Sequence, residues 1–143
     1  MQLEFYSLPM MFEGLMRGQE HPKCNLQQSV FQHLHLLLTT AFGGFPADER
    51  FGSGIWDHDF DNVTSAHKLK EMFRESLLQS IQEHEKRLSN VYVEIMLREE
   101  ELISSEQSRK IKKRIDIGIT GSLNLTNERF AYRDTFFVGP LSY

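Results

Sequence analysis

The chain has 143 residues, which fits one domain with one modest core. Hydrophobic residues make up 40% and charged residues 25% of it, and this globular composition argues against a fully disordered chain. The net charge of −4 disfavours proteins that bind nucleic acid along its phosphates, because such proteins usually carry a basic surplus.

Cysteine content and hydropathy indicate the cellular compartment in which the protein is expected. The single cysteine, Cys24, rules out an intramolecular disulfide and a zinc site built from cysteines. The first residues lack the basic stretch and apolar run of a secretory signal. No apolar run approaches the roughly 20 residues that a membrane helix requires. We therefore expect a soluble, cytosolic protein without direct membrane insertion.

Residues 1–24 form an N-terminal arm that is rich in aromatic residues and methionines and is punctuated by prolines and glycines. One helical turn is expected around residues 9–17. Such an apolar segment is poorly suited to be a free tail. We expect the arm to fold back onto the core, and the alternative is that it covers a partner.

The first long helix is predicted over residues 25–42. Asn25 suits the N-cap, and Gln28 stands three residues later in the capping-box position. Gly43 and Gly44 end the helix. Its apolar face comprises Leu26, Val30, Leu34, Leu37, Leu38 and Ala41.

A loop and a second long helix follow, over residues 45–62 and 64–85. The loop is rich in glycine and aromatic residues, and we expect it to bury some of its large side chains, which are Phe51, Ile55, Trp56 and Phe60. Thr64 or Ser65 can cap the helix. One face of the helix is apolar or small, with Leu69, Met72, Phe73, Ser76, Leu77, Ser80 and Ile81.

Over residues 84–97 the apolar period changes from helical to alternating, which indicates a helix-to-strand corner. Three strands are predicted, over residues 91–98, 111–120 and 128–138. The polar and acidic residues 99–109 are expected to form a hairpin connection or a short disordered tip.

The predicted fold class is α+β. Two long helices and a short N-terminal helical segment pack on a three-stranded, mainly antiparallel sheet. We expect one domain over residues 1–143, with the arm at 1–24, a helical part at 25–85 and a sheet part at 88–138.

No motif of a catalytic or metal site is complete. The sequence DHDFD at residues 57–61 opens like a calcium loop, but Asn62 and Lys68 occupy the positions of its glycine and its last glutamate. The sequence DIGIT at residues 116–120 resembles the phosphate hairpin of sugar kinases, yet strand alternation explains the same residues. The six histidines lack metal-ligand spacing. We therefore expect no catalytic, cofactor-binding or metal-binding residues.

The charged triplet Glu85, Lys86 and Arg87 is the candidate site. A guanidinium can bind the carboxylates or carbonyls of a partner, and Glu85 can accept from backbone N–H groups or pair with an arginine. Val91 and Val93 begin a strand that, at a sheet edge, would be open to main-chain pairing. We predict these five residues as partner-binding. The alternative is an ordinary helix end at which Arg87 binds the last carbonyls.

The order of these motifs resembles a known family. A helix ending in LLLTT at residues 36–40 is followed by Gly43 and Gly44, then by Phe51 and Gly52, and a long helix leads through the charged triplet into a strand. This arrangement resembles the small baseplate-wedge subunit of contractile injection machines, the TssE-type protein of type VI secretion systems and its relatives in contractile phage tails. Lys86 departs from that pattern, because the family has a proline there that would make the corner more rigid.

The resemblance implies a structural, non-enzymatic subunit in a cytoplasmic baseplate docked at the inner membrane. It also implies contacts with wedge proteins of the TssF and TssG types and with sheath proteins of the TssB and TssC types. The sheath link would be a strand addition held by Glu85 and Arg87. Two other functions stay open, a peptidoglycan hydrolase (some phage relatives carry a lysozyme label) and a generic cytosolic adaptor. The absence of an export signal and of a clear acid/base pair argues against the hydrolase.

Overall fold

The computed structural model describes residues 4–10, 12–56, 65–103 and 109–138. In chain order the elements are β1 (Phe5–Tyr6), α1 (Phe12–Met16), β2 (Lys23–Cys24), α2 (Leu26–Thr39), a short 3-10 helix (Gly54–Trp56), α3 (Ala66–His84), β3 (Leu88–Ile103), β4 (Arg109–Leu123) and β5 (Arg129–Val138). Helices α2 and α3 cover one face of an antiparallel sheet of order β3-β4-β5. The predicted α+β class and the predicted sheet are confirmed. The predicted burial of Phe60, the calcium-like residues 57–61 and the alternative cap Thr64 lie outside the described residues.

Helix α2 begins where its capping box predicts. The Asn25 side chain accepts from the Gln28 backbone N–H at 2.8 Å, and the Gln28 side chain accepts in return from the Asn25 N–H at 3.1 Å. The helix ends at Thr39, so the prediction that it continues to residue 42 was wrong. Thr40 turns to an extended conformation because the chain pairs there with the next loop, where the Ser53 N–H donates to the Thr40 carbonyl at 2.8 Å.

The early end of α2 also corrects one predicted core position. Ala41 forms a bridge with Ser53 outside the helix and is exposed, whereas the five leucine and valine positions of the predicted face are buried. The bridge brings the loop backbone against α2, and a Cβ at Gly52 would lie 2.6 Å from the Thr40 carbonyl oxygen. Gly52 also has a φ of +141°, so this close approach requires glycine.

Helix α3 begins after Ser65, whose side chain accepts from the Lys68 N–H. It buries most of its predicted face, and Met72 and Ser76 are half-buried. The loop before α3 buries Ile55, and the Trp56 indole donates to the Leu38 carbonyl at 2.7 Å. These contacts hold α2, the loop and α3 together as one layer.

The sheet is longer than predicted. Strands β3 and β4 remain paired until Ile103 stands opposite Arg109, so the prediction of a connection over residues 99–109 was wrong for most of that segment. A backbone ladder does not need apolar side chains, and the register places Glu99 opposite Lys113, a favourable pair of charges. The polar composition of residues 99–109 therefore gave no indication of the regular pairing between β3 and β4.

A bulge interrupts the start of β3. The register shifts between Ser89 and Tyr92, and Asn90 adopts a φ of +52°. A Cβ at Gly121, on the opposite strand, would lie 3.0 Å from the Ser89 carbonyl oxygen. The bulge thus bends β3 immediately after the corner at which α3 ends.

The N-terminal arm folds back onto the domain, as expected. Strand β1 pairs with β2, and the Leu8 N–H donates to the Gln32 side chain on α2 at 2.7 Å. Phe5 packs against the core, while the side chains of Tyr6, Met10, Phe12, Leu15 and Met16 are exposed. Helix α1 lies within the predicted residues 9–17. Within the described ranges, no helix is both long and apolar enough to cross a membrane.

Candidate functional site: a charged corner before an edge strand

The corner is formed where α3 gives way to β3. The backbone N–H of Glu85 still bonds to the Ile81 carbonyl at 2.8 Å, and the Lys86 ammonium donates to the Gln82 carbonyl at 2.9 Å. Two residues later β3 begins at Leu88. The structure thus gives Lys86 the carbonyl-binding role that the alternative prediction gave to Arg87.

Glu85 has a buried carboxylate at which four donors converge. The side chain is only 2% exposed. Its Oε1 accepts from the Arg87 backbone N–H at 3.1 Å and from the Arg87 Nε at 2.8 Å. Its Oε2 accepts from the Arg87 Nη2 at 2.9 Å and from the His33 Nδ1 at 2.7 Å. A buried charge is stable only when it is paired and hydrogen-bonded in this way.

The donors determine the protonation state of the carboxylate. Burial raises the pKa of the Glu85 carboxyl, but the hydrogen bonds and charges of Arg87 and His33 outweigh it and lower that pKa to about 2. Glu85 is therefore ionised at neutral pH. Because an ionised carboxylate only accepts, His33 must carry a hydrogen on Nδ1.

Arg87 connects the corner to the rest of the domain. Its Nη1 donates to the Ser29 hydroxyl on α2 at 2.7 Å, and its guanidinium carbon lies 5.4 Å from the centre of the Phe5 ring in the arm. The corner carbonyls are held from the other side by the β4–β5 turn. There, Asn124 donates to the Lys86 carbonyl through its side chain and to the Arg87 carbonyl through its backbone. Three other segments of the chain, α2, the arm and the β4–β5 turn, thus fix the direction in which β3 leaves the helix.

The five predicted partner-binding residues are close together but not equally accessible. Lys86 is exposed, and the Arg87 side chain is 27% exposed. Glu85 and Val93 are buried, and Val91 is half-buried against the core. Within the described part of the chain, β3 is an edge strand of the sheet of order β3-β4-β5, so the valines can offer a partner their backbone rather than their side chains. Binding by these residues stays a prediction.

Sequence reasoning missed the residues that hold the corner, which are Phe5, Ser29, His33 and Asn124. His33 is 52 positions from Glu85 and Ser29 is 58 from Arg87. No local pattern links residues at such distances. The one available signal was indirect, because a buried carboxylate after a helix requires donors from a neighbouring element.

A second polar cluster joins α2 to β5. The Tyr132 hydroxyl donates to the Asp134 carboxylate at 2.6 Å, and His35 lies 3.0 Å from the same oxygen. Burial, together with the Asp134 charge, raises the pKa of Tyr132. The contacts tie the helix to the sheet, and within the described residues no group of three or more histidine, cysteine or acidic side chains is placed to hold a metal ion.

Comparisons with known proteins agree with this architecture. A family model described as "baseplate wedge protein gp25" matches residues 24–128. The fold is also similar to a crystal structure from Geobacter sulfurreducens, of a protein with the provisional name tail lysozyme. The TM-score is 0.56 and the identity 19%, with 83% of this chain and 96% of that chain covered. At this identity the likeness concerns the fold alone. No curated protein matches the sequence.

Proposed function

Because this chain belongs to the family of the baseplate wedge protein gp25, we propose that it is a structural baseplate subunit of a type VI secretion system that links the baseplate wedge to the contractile sheath. The proposed partners are wedge proteins of the TssF and TssG types and sheath proteins of the TssB and TssC types. The proposed location is a cytoplasmic baseplate docked at the inner membrane. The whole chain would act as one domain.

The observation that carries the proposal is the buried carboxylate at the start of an edge strand. Glu85 is bonded by Arg87 and His33, and the bonds of Arg87 and Asn124 extend to α2 and to the β4–β5 turn. A junction between subunits that transmits force must keep a constant geometry. A corner held by three other segments keeps the outer edge of β3 in a constant direction, so that a strand of the sheath can pair with it.

The arm supports an assembly role in a different way. Its exposed apolar side chains include Met16, which is 88% exposed, and Phe12, which is 66% exposed. Clustered exposed apolar residues are typical of surfaces that another protein covers. The family model matches residues 24–128, so the arm lies almost entirely outside the matched region. Contacts made by the arm would therefore be additional to those made by the part of the chain that the family model describes.

Sheath assembly in cells tests the proposal. The variant Glu85→Ala/Arg87→Ala removes the ion pair of the corner, and Glu71→Ala/Arg74→Ala removes an ion pair of the same charges from the more exposed surface of α3. We expect sheath tubes, counted by fluorescence of a tagged sheath protein, to disappear with the first variant and to persist with the second. Both proteins must be present at wild-type levels. Normal tubes with the first variant would refute the sheath link.

The name of the structural neighbour suggests a peptidoglycan hydrolase as a second candidate function. Glu85 is a poor general acid because its pKa of about 2 leaves it without a proton at neutral pH. Incubation of the purified protein with cell-wall material provides the test. Release of soluble fragments that is lost on replacement of one carboxylate would favour the hydrolase over the structural role.

A generic adaptor is the remaining alternative. If the protein is such an adaptor, neither wedge nor sheath proteins should be purified together with it from its native cells.

A further inference from the structure

Among the residues that the structure describes, no helix covers one face of the sheet. We define the outer face as the side chains of β3, β4 and β5 that point away from α2 and α3. By alternation from the buried positions it contains Tyr92, Glu94, Met96, Arg98, Arg114, Asp116, Gly118, Thr120, Ser122, Arg129, Ala131, Arg133, Thr135 and Phe137. Three of these are large apolar residues in contact with solvent: Tyr92 is 62%, Met96 46% and Phe137 50% exposed. Aromatic residues, methionine and arginine are the types enriched in protein interfaces.

The outer face is basic although the chain has a net charge of −4. Among the outer-face positions named above, four arginines stand against two carboxylates. One of these carboxylates, Asp116, is already bonded by Arg114 at 3.0 Å and by the Thr135 hydroxyl at 2.7 Å. The exposed guanidinium groups of Arg98, Arg129 and Arg133 leave a positive potential at the surface, which favours an acidic partner.

Gly118 lies at the centre of this face without an internal reason to be glycine. Its backbone is outside the left-handed region, and a Cβ there would meet no atom nearer than the Glu94 Cβ at 3.9 Å. Gly121 and Gly52, by contrast, are pressed against backbone oxygens. Glycine in the middle of a central strand weakens it and often marks a site where another backbone approaches closely. In the register it lies between Glu94 on β3 and Arg133 on β5, and we call this position without a side chain of its own the hollow.

We propose that the outer face, centred on Gly118, docks an α-helix of another protein in which acidic residues flank an apolar stripe. A helix is one of the two kinds of element that cover a sheet face, and the absence of a side chain at Gly118 lets the backbone of such a helix come close. Tyr92, Met96 and Phe137 contact the apolar stripe, and arginines on both sides of the hollow pair with the acidic flanks. This surface is separate from the charged corner, so the inference does not depend on the proposed function.

Site-specific photocrosslinking in the native cells provides the test. A benzophenone amino acid replaces Met96 in the full-length protein, and the control replaces Leu125, which is 63% exposed in the β4–β5 turn. Mass spectrometry then identifies the crosslinked peptide. We expect Met96 to capture one defined segment with helical apolar spacing and a net negative charge, and Leu125 not to capture it.

Substitutions at two positions separate docking from folding. Gly118→Val should keep or raise the thermal unfolding midpoint, because valine suits a strand better than glycine, yet it should lower the crosslink yield about tenfold or more by filling the hollow. Arg133→Glu should also lower the yield, whereas Arg133→Lys should largely restore it. Any of four results would overturn the proposal: equal capture from Leu125, capture of a basic segment or nucleic acid, capture of a second copy of this chain, or an unchanged yield with both Gly118→Val and Arg133→Glu. A crosslinked partner from outside any baseplate would leave the docking surface intact and contradict the proposed function instead.

Discussion

Glu85 and Arg87, which are separated by one residue in the chain, form a bidentate ion pair. The Arg87 Nε lies 2.8 Å from Oε1, and Nη2 lies 2.9 Å from Oε2. The carboxylate is buried and the guanidinium is mostly covered. The pair therefore stabilises the corner from inside the domain. The parts of this segment that a partner can reach are Lys86, the exposed part of Arg87 and the edge of β3.

The stability of the domain should depend on pH through Glu85. Its pKa is lowered from 4.5 to about 2, so the folded state binds the proton less tightly than the unfolded chain. The stabilisation, about 3 kcal/mol, is fully present above pH ~4.5 and is lost as the pH falls towards ~2. We expect Glu85→Gln to lower the free energy of unfolding near neutral pH by about this amount, and the difference from wild type to shrink in acid. Urea unfolding at several pH values measures it. A difference that does not change with pH would contradict the assignment.

Replacement of Arg87 by lysine should weaken the corner although the charge is kept. A lysine ammonium cannot reach both carboxylate oxygens and the Ser29 hydroxyl in the geometry of the guanidinium fork. We expect Arg87→Lys to cost about 1–3 kcal/mol in the free energy of unfolding. Arg74→Lys, in the more exposed pair with Glu71, is the matched control and should change it by less than about 0.5 kcal/mol. If the two substitutions lowered the free energy of unfolding equally, the guanidinium hydrogen bonds at the corner would stabilise the protein no more than those of the exposed pair.

The Tyr132 hydroxyl should contribute to stability in a measurable way. It donates at 2.6 Å to Asp134, in a cluster that also includes His35. Because the tyrosine ring is buried, Tyr132→Phe should keep the packing and remove only this bond, at a cost of about 1 kcal/mol. Tyr92→Phe, on the exposed outer face, should leave the unfolding free energy within about 0.5 kcal/mol of wild type. A neutral Tyr132→Phe would mean that water replaces the lost donor.

The start of α2 should depend on its cap. The Asn25 side chain accepts from the Gln28 backbone N–H at 2.8 Å, and the Asn25 backbone N–H donates to the Gln28 side chain at 3.1 Å. We expect Asn25→Ala to lower the unfolding free energy by about 1 kcal/mol, and Asn25→Asp to preserve most of it. Chemical denaturation of the three proteins provides the comparison. An Asn25→Asp protein as unstable as Asn25→Ala would indicate that the carboxylate oxygen does not replace the amide oxygen as acceptor.

The N-terminal arm should be released by one substitution on α2. The Gln32 side chain accepts from the Leu8 N–H at 2.7 Å and so links the arm to the helix. Gln32→Ala should therefore speed proteolysis within residues 9–20 several-fold while the midpoint of global unfolding changes little, because local opening precedes cleavage. Gln79→Ala on the exposed face of α3 is the control. If both variants are cleaved at the wild-type rate, the Leu8–Gln32 bond is not needed to hold the arm, and contacts such as that of Phe5 with Arg87 are enough.

Local patterns in the sequence predicted the elements well wherever the interactions that form them are local. The capping box joins residues three positions apart, and the apolar spacing of α2 and α3 reflects a helical period that any segment carries within itself. The end of α2 was missed because Thr40 pairs with Ser53, which is outside the helix. The ends of β3 and β4 were missed because their pairing is made by the backbone, whose hydrogen bonds do not appear in side-chain patterns.

The sequence by itself determined the fold class, the family and the position of the charged corner, because hydrophobic periodicity, capping residues and ordered short motifs are properties of neighbouring residues. Only the tertiary structure decided what that corner is. It brings His33 and Ser29 from α2, Phe5 from the arm and Asn124 from a distant turn to residues 85–87. Burial makes the Glu85 charge costly unless those donors surround it, and burial and long-range pairing exist only once the chain has folded.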